Sequence, residues 1–399
     1  MPTAGGPNTL GESNLVFAYD TGDVKNSYIG EPTVNIHADS EDVNEWTGNL
    51  FGNWINSGVA SNTVVAPNGT LTGDIIGDGF GRFNISSTAT PGQAYTYSVY
   101  LKNVTLTSGF YIWYAFGLNG SLVSYGQALF IPITSINNSE WTRFSATISA
   151  PGSGINQVQF GPCPFTGYNY GSTYSSPTYN ASGAQLAVWG GQIEQKSHVT
   201  PYTAGTRSVT QGLLDLTGNR TIDLSNASFN SNAQMIFDGT NDYIETSAII
   251  LTSDFTISQV INLASSANGP MPIGGGYYAN GSTYQGYVWF RNNVNQVILA
   301  VDGELTVVFS VASTLWVNKT IMYTIKRSGS TATFYINGAE IATGTISTNS
   351  FNIRTIGYSY STSYVSNGTI NNTFIYNRAL TPLEIQQNYQ QYKTRFNLS

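Results

Sequence analysis

The sequence predicts an all-β protein made of two antiparallel β-sandwich domains and one short C-terminal helix. Three observations carry that expectation. Charged residues are only 9% of the 399-residue chain, against about a quarter in an ordinary soluble protein, and Asn, Ser, Thr and Gly fill the deficit. The chain also holds 42 Gly, 26 Tyr, 19 Phe and 7 Trp, which suits many short strands and tight turns rather than helices rich in Ala, Glu, Lys and Leu. Finally, short apolar or alternating runs recur between turn clusters at the spacing of antiparallel sandwiches. At roughly 150 residues per domain, the length fits two or three folding units.

Residues 1–13 are Gly, Pro, Asn and Thr punctuation with nothing to bury, and read as an N-terminal arm. Residues 15–19 form a buried strand closed by Asp20-Thr21-Gly22-Asp23. A first series of strands follows at 95–101, 110–114, 141–148 and 186–194, between turn clusters that include Pro67-Asn68-Gly69-Thr70 and Pro151-Gly152-Ser153-Gly154. A second series lies at 235–237, 255–260, 287–290, 297–301, 321–325 and 333–336. Asn337-Gly338 is the strongest hairpin signal, because both central residues of a type I′ turn need positive φ. Thr381-Pro382-Leu383-Glu384 sets a capping hydroxyl, a first-turn proline and a glutamate in capping-box order, with Ile385, Tyr389 and Tyr392 on one face.

The net charge of −7 lacks the electrostatic footprint of a nucleic-acid binder. A single cysteine, Cys163, excludes intrachain disulfides and thiolate zinc or iron–sulfur sites, and favours a chain made in a reducing cytosol. The start has neither a basic nor an apolar signal region, and no apolar run reaches about 18 residues, so neither export by a signal peptide nor membrane insertion is expected.

The segment from Leu213 onward resembles laminin-G-like, concanavalin A-like jelly rolls common in marine bacteriophage proteins. The residues that carry the resemblance are 214–219, the stretch Phe237-Asp238-Gly239-Thr240-Asn241-Asp242-Tyr243-Ile244, the hairpin at Asn337-Gly338, and the ending 375–385. Residues 46–202 resemble the carbohydrate-binding-module-like jelly roll of phage tail and virion proteins, through 97–102, 141–144, 189–194 and 200–203. In the laminin-G-like family a strand resembling 15–20 runs directly into a stretch like 214–219; here about 180 residues separate them, at the small closure cost of an insertion into a surface turn. The expected domains are therefore the 1–13 arm, a discontinuous laminin-G-like jelly roll of 14–34 plus 206–399, and an inserted jelly roll of 35–205. Tandem domains with a separate arm are the alternative.

Catalysis is not expected. The family's glucanases carry two glutamates and an aspartate alternating on one strand, and no strand here shows that pattern. The acidic stretch Glu41-Asp42-Val43-Asn44-Glu45 reads as solvation, His37 and His198 as structural or exposed, and Gly274-Gly275-Gly276 precedes no helix that could cradle phosphate. Asp238, Asn241 and Asp242 gather hard oxygen ligands in one turn, as calcium requires, or cap their own backbone in an Asx turn. The resemblance of the inserted domain makes Gln192-Ile193-Glu194 a second place for structural calcium, with a polar strand end as the plain alternative.

Three segments interleave tyrosine with Gly, Ser and Asn, the chemistry of adaptable binding loops. They are 165–179 with Tyr168, Tyr170, Tyr174 and Tyr179; 277–287 with Tyr277, Tyr278 and Tyr284; and 358–364 with Tyr358 and Tyr360. They can contact neighbouring subunits, pack on the sandwich ends or stack on glycans. The resemblance implies a non-enzymatic bacteriophage virion structural protein exposed on the particle surface, a head decoration, fibre or tail-associated accessory, made in the host cytoplasm. Its expected partners are other virion proteins, copies of itself or a viral lattice, and a host-surface glycan bound by lectin-like adhesion, with the inserted domain displaying the 165–179 loop. The alternatives are a phage polysaccharide depolymerase or glucanase, and a free cellular lectin.

Overall fold

The computed structural model describes residues 12, 14–37, 40–42, 59–77, 84–86, 88–163, 165–166, 178–179, 184–266, 268–275, 286–301, 305–358 and 364–398. The expected arm, 1–13, lies outside them but for Glu12. The fold is mostly antiparallel β with one α-helix among the described residues. Two compact units divide the chain: a split unit of Met1–Pro32 and Ser208–Ser399, and a central unit of Thr33–Arg207. These limits extend the central unit two residues beyond 35–205 at each end. The reason is local: Thr33–Val34 and Thr206–Arg207 form a two-stranded ladder, and the Thr33 hydroxyl donates to the Glu194 carboxylate at 2.6 Å.

The split unit is a sandwich of an eight-stranded and a seven-stranded sheet. Alternation along Phe255–Leu263, Thr320–Ser328 and Thr331–Ile336 sends Ile257, Ile261, Tyr323, Ile325 and Phe334 inward, where they meet Val288, Phe290, Leu299 and Phe309 of the other sheet. Phe290 lies 5.1 Å edge-on from Tyr323 and from the buried Trp316. At the Asn337-Gly338 hairpin both φ angles are positive, 51° and 77°, as the turn type demands.

Leu15–Asp20 is the strand that needs most explanation, because it pairs antiparallel with Asn367–Tyr376 at the far end of the chain. Asp215 holds it: one oxygen accepts from the N–H groups of Ala18 and Thr217 at 3.0 Å. The other accepts from Thr217 Oγ1 and the N–H groups of Asn219 and Arg220 at 2.7–3.2 Å. Arg220 donates to the Val16 carbonyl at 2.7 Å, and Arg395 grips Asp20 with both terminal nitrogens at 2.7 and 2.8 Å. Inside the core a polar row crosses four strands: Tyr323 donates to Gln259 at 2.5 Å, Gln259 donates to Thr373 at 2.8 Å, and Tyr19, opposite Thr373, donates to the Ile370 carbonyl at 3.2 Å. Burial pushes the Tyr19 and Tyr323 hydroxyls far above their ordinary range.

The helix Pro382–Lys393 has the expected capping box. Ile385, Tyr389 and Tyr392 pack on the outer face of the eight-stranded sheet with Leu15, Ala18, Val260, Met322 and Tyr376. In the central unit a five-stranded and a four-stranded sheet enclose a second core, where Tyr97 stacks on Phe160 at 5.2 Å.

Two outcomes follow. Asp215→Ala removes an acceptor from five donors, so it destabilises the split unit by about 2–4 kcal/mol in denaturant titration; a loss within experimental error means that the first strand is held without it. Glu384 is drawn down to about 2, first by the Arg378 hydrogen bond and then by Thr381 donors. Its folded value lies below the unfolded one, so its stabilisation is present above the ordinary carboxylate range and is lost as pH falls toward 2. The site is partly exposed, which limits the effect to about 1 kcal/mol. Calorimetry of Glu384→Gln should show a lowered midpoint at neutral pH and a gap to wild type that closes on acidification.

Candidate functional site

The seven-stranded sheet carries an outward face on which Tyr287 and Tyr364 gather around Trp289, and of the candidate tyrosines only Tyr358 has its side chain among the described residues. Ile273–Gly274 sits between Phe351–Ile356 and Tyr287–Arg291, so the segments that contain Tyr277, Tyr278 and Tyr284 and Tyr358 and Tyr360 arise from neighbouring strands. They depart in opposite directions, one past Gly274, the other past Ile273. Tyr277, Tyr278, Tyr284 and Tyr360 lie outside the described residues. The ends of both segments, Tyr287 and Tyr364, converge on Trp289, at 6.4 and 5.2 Å and near right angles.

Trp289 is the hub of this face. Strand alternation puts Tyr287, Trp289 and Arg291 on the side away from the core that holds Val288 and Phe290. The Trp289 indole N–H donates to the Asn268 carbonyl at 2.7 Å, which fixes the ring. The Arg291 guanidinium lies 4.6 Å from its centre and donates to the Gln296 side chain at 3.3 Å. Below these, Met271, Ile298 and Ala300 form a small apolar bed. Tyr358, nearer the sheet edge, stacks on Tyr243 at 5.1 Å, and burial raises its hydroxyl above the ordinary range. Half-buried rings beside a guanidinium and an amide can stack on the apolar face of a pyranose and hydrogen-bond its hydroxyls. Of these residues Trp289 and Arg291 carried no functional expectation; their signal, an aromatic and a cation two apart on one strand, was masked by the strand pattern itself.

Asp238, Asn241 and Asp242 form a turn whose carboxylates serve their own backbone. Asp242 accepts from the Ser228 hydroxyl at 2.8 Å and the Asp238 N–H at 2.7 Å, and Asp238 accepts from the Thr240 N–H at 2.7 Å. Asn241 is exposed. Among the described residues no group of three or more His, Cys, Asp or Glu side chains is placed to hold a metal ion.

In the central unit, Phe165 pairs with Tyr179 in a two-residue ladder; Tyr168, Tyr170 and Tyr174 lie outside the described residues, as does the Tyr179 side chain. Glu194 is fully buried, and its carboxylate accepts from the hydroxyls of Thr33 and Thr200, both at 2.6 Å, and from the Thr200 N–H at 3.1 Å. Gln192 accepts from the Thr203 N–H at 2.8 Å. Arg143 donates to the Thr200 carbonyl and to Ser98. Trp189 is buried against Tyr202 and Tyr100, at 4.6 and 5.5 Å. The stretch 189–194 is thus a knot that ties a strand to the 200–203 segment. Of the acidic stretch, Glu41 accepts from the Tyr202 hydroxyl at 3.1 Å, and 43–45 lie outside the described residues.

Residues 238–386 match the model of the concanavalin A-like lectin/glucanases superfamily, in its laminin G form. The split unit therefore contains a concanavalin A-like lectin/glucanase domain. No curated protein matches the chain in sequence. Among solved structures it is similar to Trypanosoma rangeli sialidase, at 15% identity and a TM-score of 0.33, over 46% of this chain and 31% of that one. It is also similar to the binding domain of botulinum neurotoxin serotype D, at 17% identity and a TM-score of 0.34, over 46% and 49%. The chain thus spans about a third of the length of the sialidase.

Because both Asp242 oxygens and one Asp238 oxygen already accept hydrogen bonds from Ser228, Asp238 and Thr240, adding calcium or a chelator should move the melting temperature by less than about 1 °C. A shift of several degrees in scanning fluorimetry reveals a bound ion instead.

Proposed function

We propose that this chain is a non-enzymatic carbohydrate-binding protein that adheres to glycans through the outward face centred on Trp289. The observation that carries the reading is the coincidence of a lectin/glucanase domain with a face of half-buried rings, a guanidinium and an amide. The strands of that sheet carry two carboxylates among the described residues, the opposed pair Asp223 and Glu245, and both are engaged at the far end of the sheet from Trp289. Asp223 accepts from the Ser225 N–H and hydroxyl at 2.7 and 2.5 Å and Glu245 pairs with Arg354 at 3.4 Å, which favours binding over hydrolysis. Its setting on a bacteriophage particle, as a decoration, fibre or tail-associated protein, rests on the sequence resemblance of both units to virion jelly rolls.

Glycan-array screening followed by calorimetry tests the binding. Trp289→Ala and Arg291→Gln should each weaken the best hit about tenfold or more, with Arg291→Gln keeping the wild-type melting curve. Release of reducing sugars from that glycan makes the chain a hydrolase and overturns the reading. Mass spectrometry of purified particles tests the virion setting separately.

A further inference from the structure

The four-stranded sheet of the central unit differs from every other large sheet in one respect. Its strands, Asn84–Ser86, Phe110–Leu118, Ser121–Ile131 and Gln157–Cys163, contain no Asp, Glu, Lys, Arg or His. The neighbouring five-stranded sheet carries Asp74, Lys102, Arg143 and Glu194, and both sheets of the split unit carry charges of each sign. From Asn103 to Ser139 no residue is charged at all.

The long edge of that sheet is Ser121–Ile131, an eleven-residue strand that pairs, among the described residues, with Phe110–Leu118 alone. Natural edges of this length are guarded by lysine, proline, inward charge or bulges. Here only bulges are present, at Val123 and Ala128, and they bound a regular run from Ser124 to Gln127. The outward side chains are unusually apolar for an edge: Val123 is 45% exposed and Phe130 47%, with Gln127 exposed between them.

We propose that the Ser121–Ile131 edge is a homotypic interface, at which a second copy of this chain pairs antiparallel across a two-fold axis and extends the sheet from four strands to eight. Three physical facts select a second copy. A strand paired antiparallel with itself closes a two-fold dimer in which the same patch serves both partners. Directly opposed residues share a face, so with the axis beside Gln127 the two Gln127 side chains meet on the outward side as an amide cross-strand pair. Two chains of net charge −7 repel one another, and the uncharged sheet is the surface where that repulsion is least.

Sedimentation or light scattering of the full chain tests this. Wild type should give twice the monomer mass at tens of micromolar. Gln127→Lys and Gln127→Glu, each with an unchanged melting curve, should give monomers, because each sets like charges against one another. Mixing the two variants should restore the dimer. Monomeric wild type overturns the proposal, and so does a dimer indifferent to both substitutions or a mixture that stays monomeric. Monomeric wild type that is retarded by a neutral polysaccharide in affinity electrophoresis, with retardation lost in Phe130→Ala, assigns the surface to glycan instead and likewise overturns it. Because Trp289 and Arg291 are untouched, glycan binding by the split unit is read independently.

Discussion

The split unit depends on capturing one strand, Leu15–Asp20, whose polar tethers Asp215 and Arg395 lie 197 and 375 residues away in sequence. Apolar burial alone cannot do this. The hydrophobic term is non-directional, and a slip of one residue would turn Phe17 and Tyr19 out of the core and Ala18 into it. Buried polar groups supply the direction. Only one register lets Tyr19 fall opposite Thr373, in line with Gln259 and Tyr323, and any other leaves donors buried without acceptors, at about 1–3 kcal/mol each. Asp215, Arg220 and Arg395 repeat the constraint along the strand, so that register is specified at its middle and at its end.

The central unit uses the same device where its chain enters and leaves. Thr33, Glu194 and Thr200 share one buried carboxylate, while Asn35 donates to the carbonyls of Gly191 and Thr203 and accepts from the Ile193 N–H. A protein with few charges thus uses several of them, Asp20, Glu194, Asp215, Arg220 and Arg395, for internal fixation. Asn takes up much of the turn chemistry: among the described residues, seven of the eight non-glycine residues with positive φ are asparagines, the side chain that best tolerates that region. The low charge and high Asn content are two sides of one solution, in which turns are closed by amides and short carboxylates.

Fold class and many of the longer strands were legible because their signals are local, although Gln157–Cys163, Phe351–Ile356 and Asn367–Tyr376 were not among them. Alternation marks Phe255–Leu263 and Thr331–Ile336, positive φ at Asn337 and Gly338 marks the hairpin, and the capping box marks the helix. Ser121–Ile131 was not legible: Gly126, three polar residues and two bulges break the period of two, and its side chains answer to one neighbouring strand only. Ile244–Leu251 was hidden by a bulge opposite Phe351–Ile356. The site was harder still. Tyrosine density pointed to loops, yet the described ring cluster is organised by Trp289, whose role comes from Asn268, Tyr287, Arg291 and Tyr364 meeting in space, a relation no window of sequence contains.

The tyrosines show why composition misleads about recognition. Tyr19, Tyr97 and Tyr323 are core residues whose hydroxyls are driven upward by burial; Tyr389 and Tyr392 hold the helix down. A Tyr-rich chain is therefore first a chain with large amphipathic core fillers, each able to end in a hydrogen bond. What separates a binding ring from these is an outward position on a strand and a neighbour that stiffens it, as Asn268 stiffens Trp289. By that criterion Trp289 stands apart from the buried tyrosines. Ring and amide contacts of the kind proposed for that face would persist at salt concentrations that screen exposed ion pairs, because they do not depend on the long-range attraction that salt removes within about 8 Å.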